Sequence, residues 1–91
     1  MHNSLEEIME HLILTPYQLA ITLRNRRKVL NLTQAEAAEK VGLLPKTISA
    51  LENDPGRSTL DSFQKLLSAL DFELTLKPKA AEKSDSQKGE W

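Results

Sequence analysis

An all-α bundle of short helices, with one β-strand near the C-terminal end, is the fold class this sequence predicts. Three observations carry it. Apolar residues recur at helical spacing from about residue 16 to residue 70, interrupted at short intervals by turn residues. Two threonines are each followed three residues later by Gln or Glu, Thr15 by Gln18 and Thr33 by Glu36, which is a helix-start signature. At Phe72 the apolar period changes from 3.6 to 2.

The first segment places Leu5, Ile8, Met9, Leu12 and Ile13 on one face of a short amphipathic helix. Residues 1–14 are read as that helix or as an arm. It either packs on its own domain or docks elsewhere. Thr15-Pro16-Tyr17-Gln18 starts the next helix, with Thr15 as cap and Pro16 in the first helical position; it runs to about Leu30 with Leu19, Leu23 and Leu30 inward. Thr33 and Glu36 open a second helix that buries Ala37 or Ala38 and Val41 and stops at Gly42, which can take a left-handed conformation. Leu44 precedes a proline and is pushed out of helical geometry. Pro45 then opens a third helix that buries Ile48 and Leu51. The stretch Glu52-Asn53-Asp54-Pro55-Gly56-Arg57 ends it in a loop. Ser58, with Asp61 three residues on, caps a fourth helix carrying Leu60, Phe63, Leu66, Leu67 and Leu70. Phe72, Leu74 and Leu76 then alternate with polar residues as a strand over 72–77. Residues 78–91 cannot bury a core and read as a disordered tail ending in Trp91, the single tryptophan.

Composition narrows the function. A chain of 91 residues makes one domain. It has no cysteine, which fits a reducing cytoplasm. No apolar run is long enough to span a membrane, and the N-terminal stretch, with Glu6, Glu7 and Glu10 and no Lys or Arg, does not resemble a signal peptide. The formal charge of -1 hides an uneven distribution. Residues 24–57 hold seven basic side chains (Arg24, Arg26, Arg27, Lys28, Lys40, Lys46, Arg57) against four acids, so the positive field sits around the second and third helices. An enzyme is not indicated: there is no cysteine, only His2 and His11, and no glycine-rich phosphate loop. The two histidines do not share a helical face, so no metal site and no cofactor are expected.

Residues 33–53 meet the demands of a helix-turn-helix. Ala38 is small where the two helices cross, Gly42 tolerates positive φ in the turn, and Ile48 and Leu51 anchor the inner face. Pro45, Lys46, Ser49 and Ala50 are then left facing outward, where a recognition helix meets base edges.

On these residues the stretch from Leu23 to Leu70 resembles the phage-repressor-like (Cro/CI, or XRE) helix-turn-helix family, through Arg27, Leu32-Thr33-Gln34, Ala38, Val41-Gly42, Thr47-Ile48-Ser49 and Leu51-Glu52-Asn53. The order of features beyond it, namely the strand, polar tail and terminal Glu90-Trp91, together with Thr15-Pro16 and Gln18-Leu19-Ala20, is similar to the HipB-type antitoxins of HipA/HipB toxin–antitoxin systems. Leu44-Pro45-Lys46 at the reading positions and the extra N-terminal segment depart from that pattern. The resemblance implies a DNA-binding protein that captures a HipA-type serine/threonine kinase and represses its own operon. A stand-alone repressor of the same family is the second reading. It further implies a cytoplasmic protein, located on the nucleoid when bound to its operator.

Roles follow from family and chemistry together. Gln34, opening the second helix, presents its amide and nearby N–H groups to a phosphate. Lys46 reaches guanine O6 and N7, or touches only phosphate. Thr47 and Ser49 suit phosphate or water-bridged contacts, and Asn53 and Arg57 clamp the backbone just past the helix. Arg27 and Glu52 correspond to a partly buried ion pair tying the first helix to the third, while Arg24, Arg26 and Lys28 read as a solvated face. Because a lone strand is unstable, Phe72, Leu74 and Leu76 are expected to pair with a second copy, giving a homodimer on a palindromic double-stranded operator. Trp91 reads three ways: a stray terminal residue, an anchor on the toxin, or a degradation signal.

Overall fold

The computed structural model describes residues 10–80. Among them lie four α-helices: α1 (Pro16–Val29), α2 (Gln34–Val41), α3 (Pro45–Asn53) and α4 (Leu60–Ala69), with a 3-10 turn at Pro55–Arg57 between the last two. The helices are short, so their stability depends on how they end and what they bury. Each of α1, α2 and α4 begins at a threonine whose hydroxyl accepts from the N–H three residues on: Gln18 to Thr15 at 3.1 Å, Glu36 to Thr33 at 3.0 Å and Ser62 to Thr59 at 3.0 Å. At α1 and α2 the Gln18 and Glu36 side chains complete the box by accepting from the Thr15 and Thr33 N–H.

The same three helices stop alike. Asn31, Gly42 and Asp71 take left-handed φ values of 61°, 73° and 55°. The N–H of the following residue then reaches back five residues: Leu32 to Arg27 at 3.1 Å, Leu43 to Ala38 at 2.9 Å and Phe72 to Leu67 at 2.9 Å. In each case that residue is apolar and packs on the core, so the helix end and the core close together. The core holds Leu23, Ala38, Ile48, Leu51, Leu66, Leu67, Ala69 and Leu70. α2 packs on α3 and α4, and α1 packs on α3 and the 3-10 turn.

Several expectations are corrected. Thr59, not Ser58, caps α4, because the Ser58 N–H closes the preceding 3-10 turn on Pro55 O at 3.1 Å. Leu60 sits in the first turn of α4 and is 67% exposed; Phe63 and the leucines after it supply the buried face. Glu10–Leu14 carry no helix, since Gln18 Oε1 accepts from both the Leu14 and Thr15 N–H and holds that backbone at the mouth of α1. Leu5, Ile8 and Met9 lie outside the described residues, as does Trp91. No strand forms among the described residues: Phe72 is the plug closing α4, and Leu74 and Leu76 are exposed on a segment with no neighbouring strand among the described residues to pair with.

Candidate nucleic-acid interface

The pairing of α2 and α3 rests on one buried polar cluster. Glu52 is 1% exposed, a placement that a carboxylate tolerates only with full hydrogen bonding. Arg27 grips it with both edges, Nε donating to Oε2 at 2.5 Å and Nη2 to Oε1 at 3.0 Å, while Arg27 Nη1 donates to Leu32 O at 2.9 Å. The Glu52 hydrogen bonds raise the Arg27 pKa above its ordinary value; burial opposes this and the carboxylate's charge adds to it. Gln34 Nε2 also donates to Glu52 Oε1, at 3.1 Å. Three elements therefore meet at one carboxylate: the end of α1, the first residue of α2 and the inner face of α3. Gln34 is half-buried, and its amide is turned inward rather than wholly presented to a phosphate.

With Ile48, Leu51 and Glu52 buried, the opposite face of α3 is turned outward. Pro45, Lys46, Ala50 and Asn53 are exposed, and Thr47 and Ser49 are half-buried. Asn53 is the last residue of α3 rather than a loop residue, and its Nδ2 donates to Ser49 O at 2.8 Å and to Ser49 Oγ at 3.3 Å. Arg57, on the 3-10 turn, is exposed and loosely paired with Asp54 at 3.8 Å.

Sequence reasoning missed two arginines, read as part of a solvated face. Arg24 Nη2 donates to Glu52 O at 3.0 Å and to Asn53 Oδ1 at 3.5 Å, so it caps the C-terminal end of α3. Arg26 Nε donates to Leu70 O at 2.8 Å and Nη2 to Asp71 O at 3.3 Å, capping α4, with the guanidinium 5.0 Å from the Phe72 ring centre. Cations at helix C-termini are favoured by the macrodipole and by the unpaired carbonyls there. Their clustering in the last turns of α1 was the available signal. Lys28 is exposed.

One further residue belongs to this face. Leu44 caps α3 with extended backbone (φ -93°, ψ 151°), has no side-chain cap hydrogen bond, and is 58% exposed. A Ser, Thr, Asp or Asn there is worth roughly 0.5–2 kcal/mol over an apolar residue. The sequence places Leu44 with Pro45 and Lys46 at the reading positions, as a departure from the family pattern, and assigns it no contact.

A helix-turn-helix family model matches residues 23–77. The chain is 38% identical over 82 residues to the antitoxin HipB of Escherichia coli (strain K12), covering 87% of this chain and 93% of that protein. Among solved structures, it is similar to a HipA–HipB–O2–O3 complex (TM-score 0.74, 37% identity) and to a HipB–O4 20mer complex (TM-score 0.73, 37% identity), each over 78% of this chain and 100% of the other. The buried Arg27–Glu52–Gln34 cluster, the outward face of α3 and this extent of similarity place the chain in the helix-turn-helix family and, within it, among the HipB antitoxins.

Proposed function

We propose that this protein is a sequence-specific DNA-binding antitoxin, which neutralises a HipA-type serine/threonine kinase and represses its own operon. The observation that carries the reading is the outward face of α3. Its rear is anchored by buried Ile48, Leu51 and Glu52, leaving exposed Lys46 to enter a major groove. Lys46 reads guanine, Thr47 and Ser49 take phosphate or water-bridged contacts, and Pro45 and Ala50 line the base edges. Asn53, held by Arg24 and Ser49, and Arg57 contact the backbone. At the start of α2 the Gln34 and Ala35 N–H groups have no carbonyl four residues back within the helix and suit a phosphate. The Gln34 side chain acts mainly by locking that helix start onto Glu52.

The unit that binds is a homodimer. Residues 72–77 of each copy pair into a two-stranded ribbon, which gives the backbone beyond Phe72 a strand partner that it lacks among the described residues and covers Leu74 and Leu76. Two recognition helices related by a two-fold axis then read a palindrome.

Fluorescence anisotropy with a duplex carrying the protein's own promoter, over a salt series, tests the DNA reading. A log–log slope of several units is expected if several phosphates are neutralised. Affinity independent of salt defeats it. Co-expression with a HipA-type kinase from the same genome is expected to yield a co-eluting complex without kinase activity; a kinase that stays active and separate removes the antitoxin role.

A further inference from the structure

We propose that Leu44 is a base-reading residue whose exposed side chain contacts the C5-methyl group of a thymine in the major groove. The inference rests on the DNA-binding reading above and sharpens its specificity.

Leu44 is a large aliphatic side chain, 58% exposed, two residues before Lys46 at the start of α3, beside the outward face proposed to meet DNA. Its backbone is fixed, not loose. The Leu44 carbonyl accepts from Thr47 N at 2.9 Å and Ile48 N at 3.3 Å, and Pro45 holds the next φ and confines Leu44 to extended geometry. The side chain therefore leaves a rigid helix start in a set direction. The other three α-helices all place a threonine hydroxyl at this position; α3 forgoes that bond for an apolar group that buries little within its own fold. A local rule broken without a folding gain is the pattern expected where binding sets the residue.

The chemistry selects the target. From Leu44 to Ala50 the helix offers no Asn, Gln, Arg or Glu, the side chains that read adenine, guanine or cytosine by hydrogen bonds. Its exposed members are Leu44, Pro45, Lys46 and Ala50: three aliphatic surfaces and one cation. The thymine methyl is the apolar feature of the major-groove code, as guanine O6 and N7 are the acceptor pair for Lys46. A half-site built for this face carries a thymine close to a guanine.

The test uses the full chain and duplexes it selects from a randomised library. In a selected duplex each thymine is replaced in turn by deoxyuridine, which deletes only the methyl. Wild-type protein is expected to bind about three- to fivefold more weakly at one position per half-site, the worth of one buried methyl. Leu44→Ala and Leu44→Ser are expected to bind the thymine and deoxyuridine duplexes equally. Leu44→Ser restores a capping hydroxyl, so a melting temperature at or above wild type separates lost reading from lost folding. The proposal is overturned if deoxyuridine has no effect anywhere on wild type, or if the methyl dependence survives in both variants. It is also overturned if Leu44→Ser impairs only kinase binding, which would make the leucine a protein contact. Selection of no sequence at all would instead defeat the DNA-binding reading beneath it.

Discussion

Glu52 is the residue on which most of the candidate interface depends, and its worth lies in what happens when one partner is removed. The pair itself offsets its own desolvation only in part, so replacing both members with apolar groups is far milder than removing one. Arg27→Met, which leaves the Glu52 carboxylate buried, is expected to cost roughly 3–5 kcal/mol in urea unfolding, and the double variant Arg27→Met/Glu52→Leu to recover much of that loss. A double variant as unstable as the single one would show that the pair is more than a satisfied burial. Lys46 belongs to the same scale but to binding. Lys46→Ala is expected to flatten the ranking of operator variants while leaving the melt unchanged, whereas Gln34→Ala weakens all operators alike. Uniform weakening by Lys46→Ala would assign that ammonium to phosphate.

Elements are defined here by their ends. Asn31 and Asp71 hold left-handed geometry that an L-residue enters at a cost of about 1–2 kcal/mol, a cost lowered for Asn and Asp by their short polar side chains. A β-branched residue has no such relief. Asn31→Val is expected to destabilise by about 1–2 kcal/mol, and Asn31→Gly to stay within about 1 kcal/mol of wild type, in thermal or urea unfolding. Equal melts for the two would mean that the end of α1 does not depend on positive φ. Phe72 tests the element boundary itself. As the half-buried plug of α4, lying beside Arg26, it is expected to cost roughly 2 kcal/mol when truncated to Ala, below the value for a fully buried ring. Were Phe72 only an intersubunit strand residue, Phe72→Ala would change dimerisation and leave a monomer's stability alone.

At the scale of the whole molecule, the proposed pairing of two chains can be tested apart from the fold of one. Leu76 is 89% exposed and touches no core residue, so a charge there has nothing to disrupt within the subunit. Leu76→Glu is expected to give monomers by analytical ultracentrifugation, with the helical signal and melt of the subunit retained and operator affinity much reduced. A Leu76→Glu protein that remains dimeric would remove residues 72–77 from the interface. Near this segment, Lys77 lies 3.5 Å from Glu10 and the Phe72 ring meets His11 edge-on at 5.9 Å, so the chain entering α1 runs beside the chain leaving α4.

The four helices between Thr15 and Leu70 are legible in the residues themselves, because helix starts and stops are local events. A threonine and a Gln or Glu three residues apart, a proline in the first turn and a glycine at positive φ all act within one or two turns. The sequence also shows which face of α3 turns outward, since burial of Ile48 and Leu51 implies the rest. Contacts between residues far apart in the chain are not contained in any local pattern. Arg26 meets Leu70 across 44 positions and Arg24 meets Glu52 across 28, so the cluster of basic residues near the end of α1 does not by itself show which distant carbonyls each arginine caps. The sequence puts Gln34 at a helix start that suits a phosphate; that its amide also donates to Glu52, 18 residues on, is visible only in the packed chain. Phe72 has the alternation of a strand and the job of a plug, because the end of α4 folds it back onto the core before the alternation begins. Periodicity reports which side chains are apolar; only the packed chain shows which of them it covers, and it leaves Leu74 and Leu76 exposed.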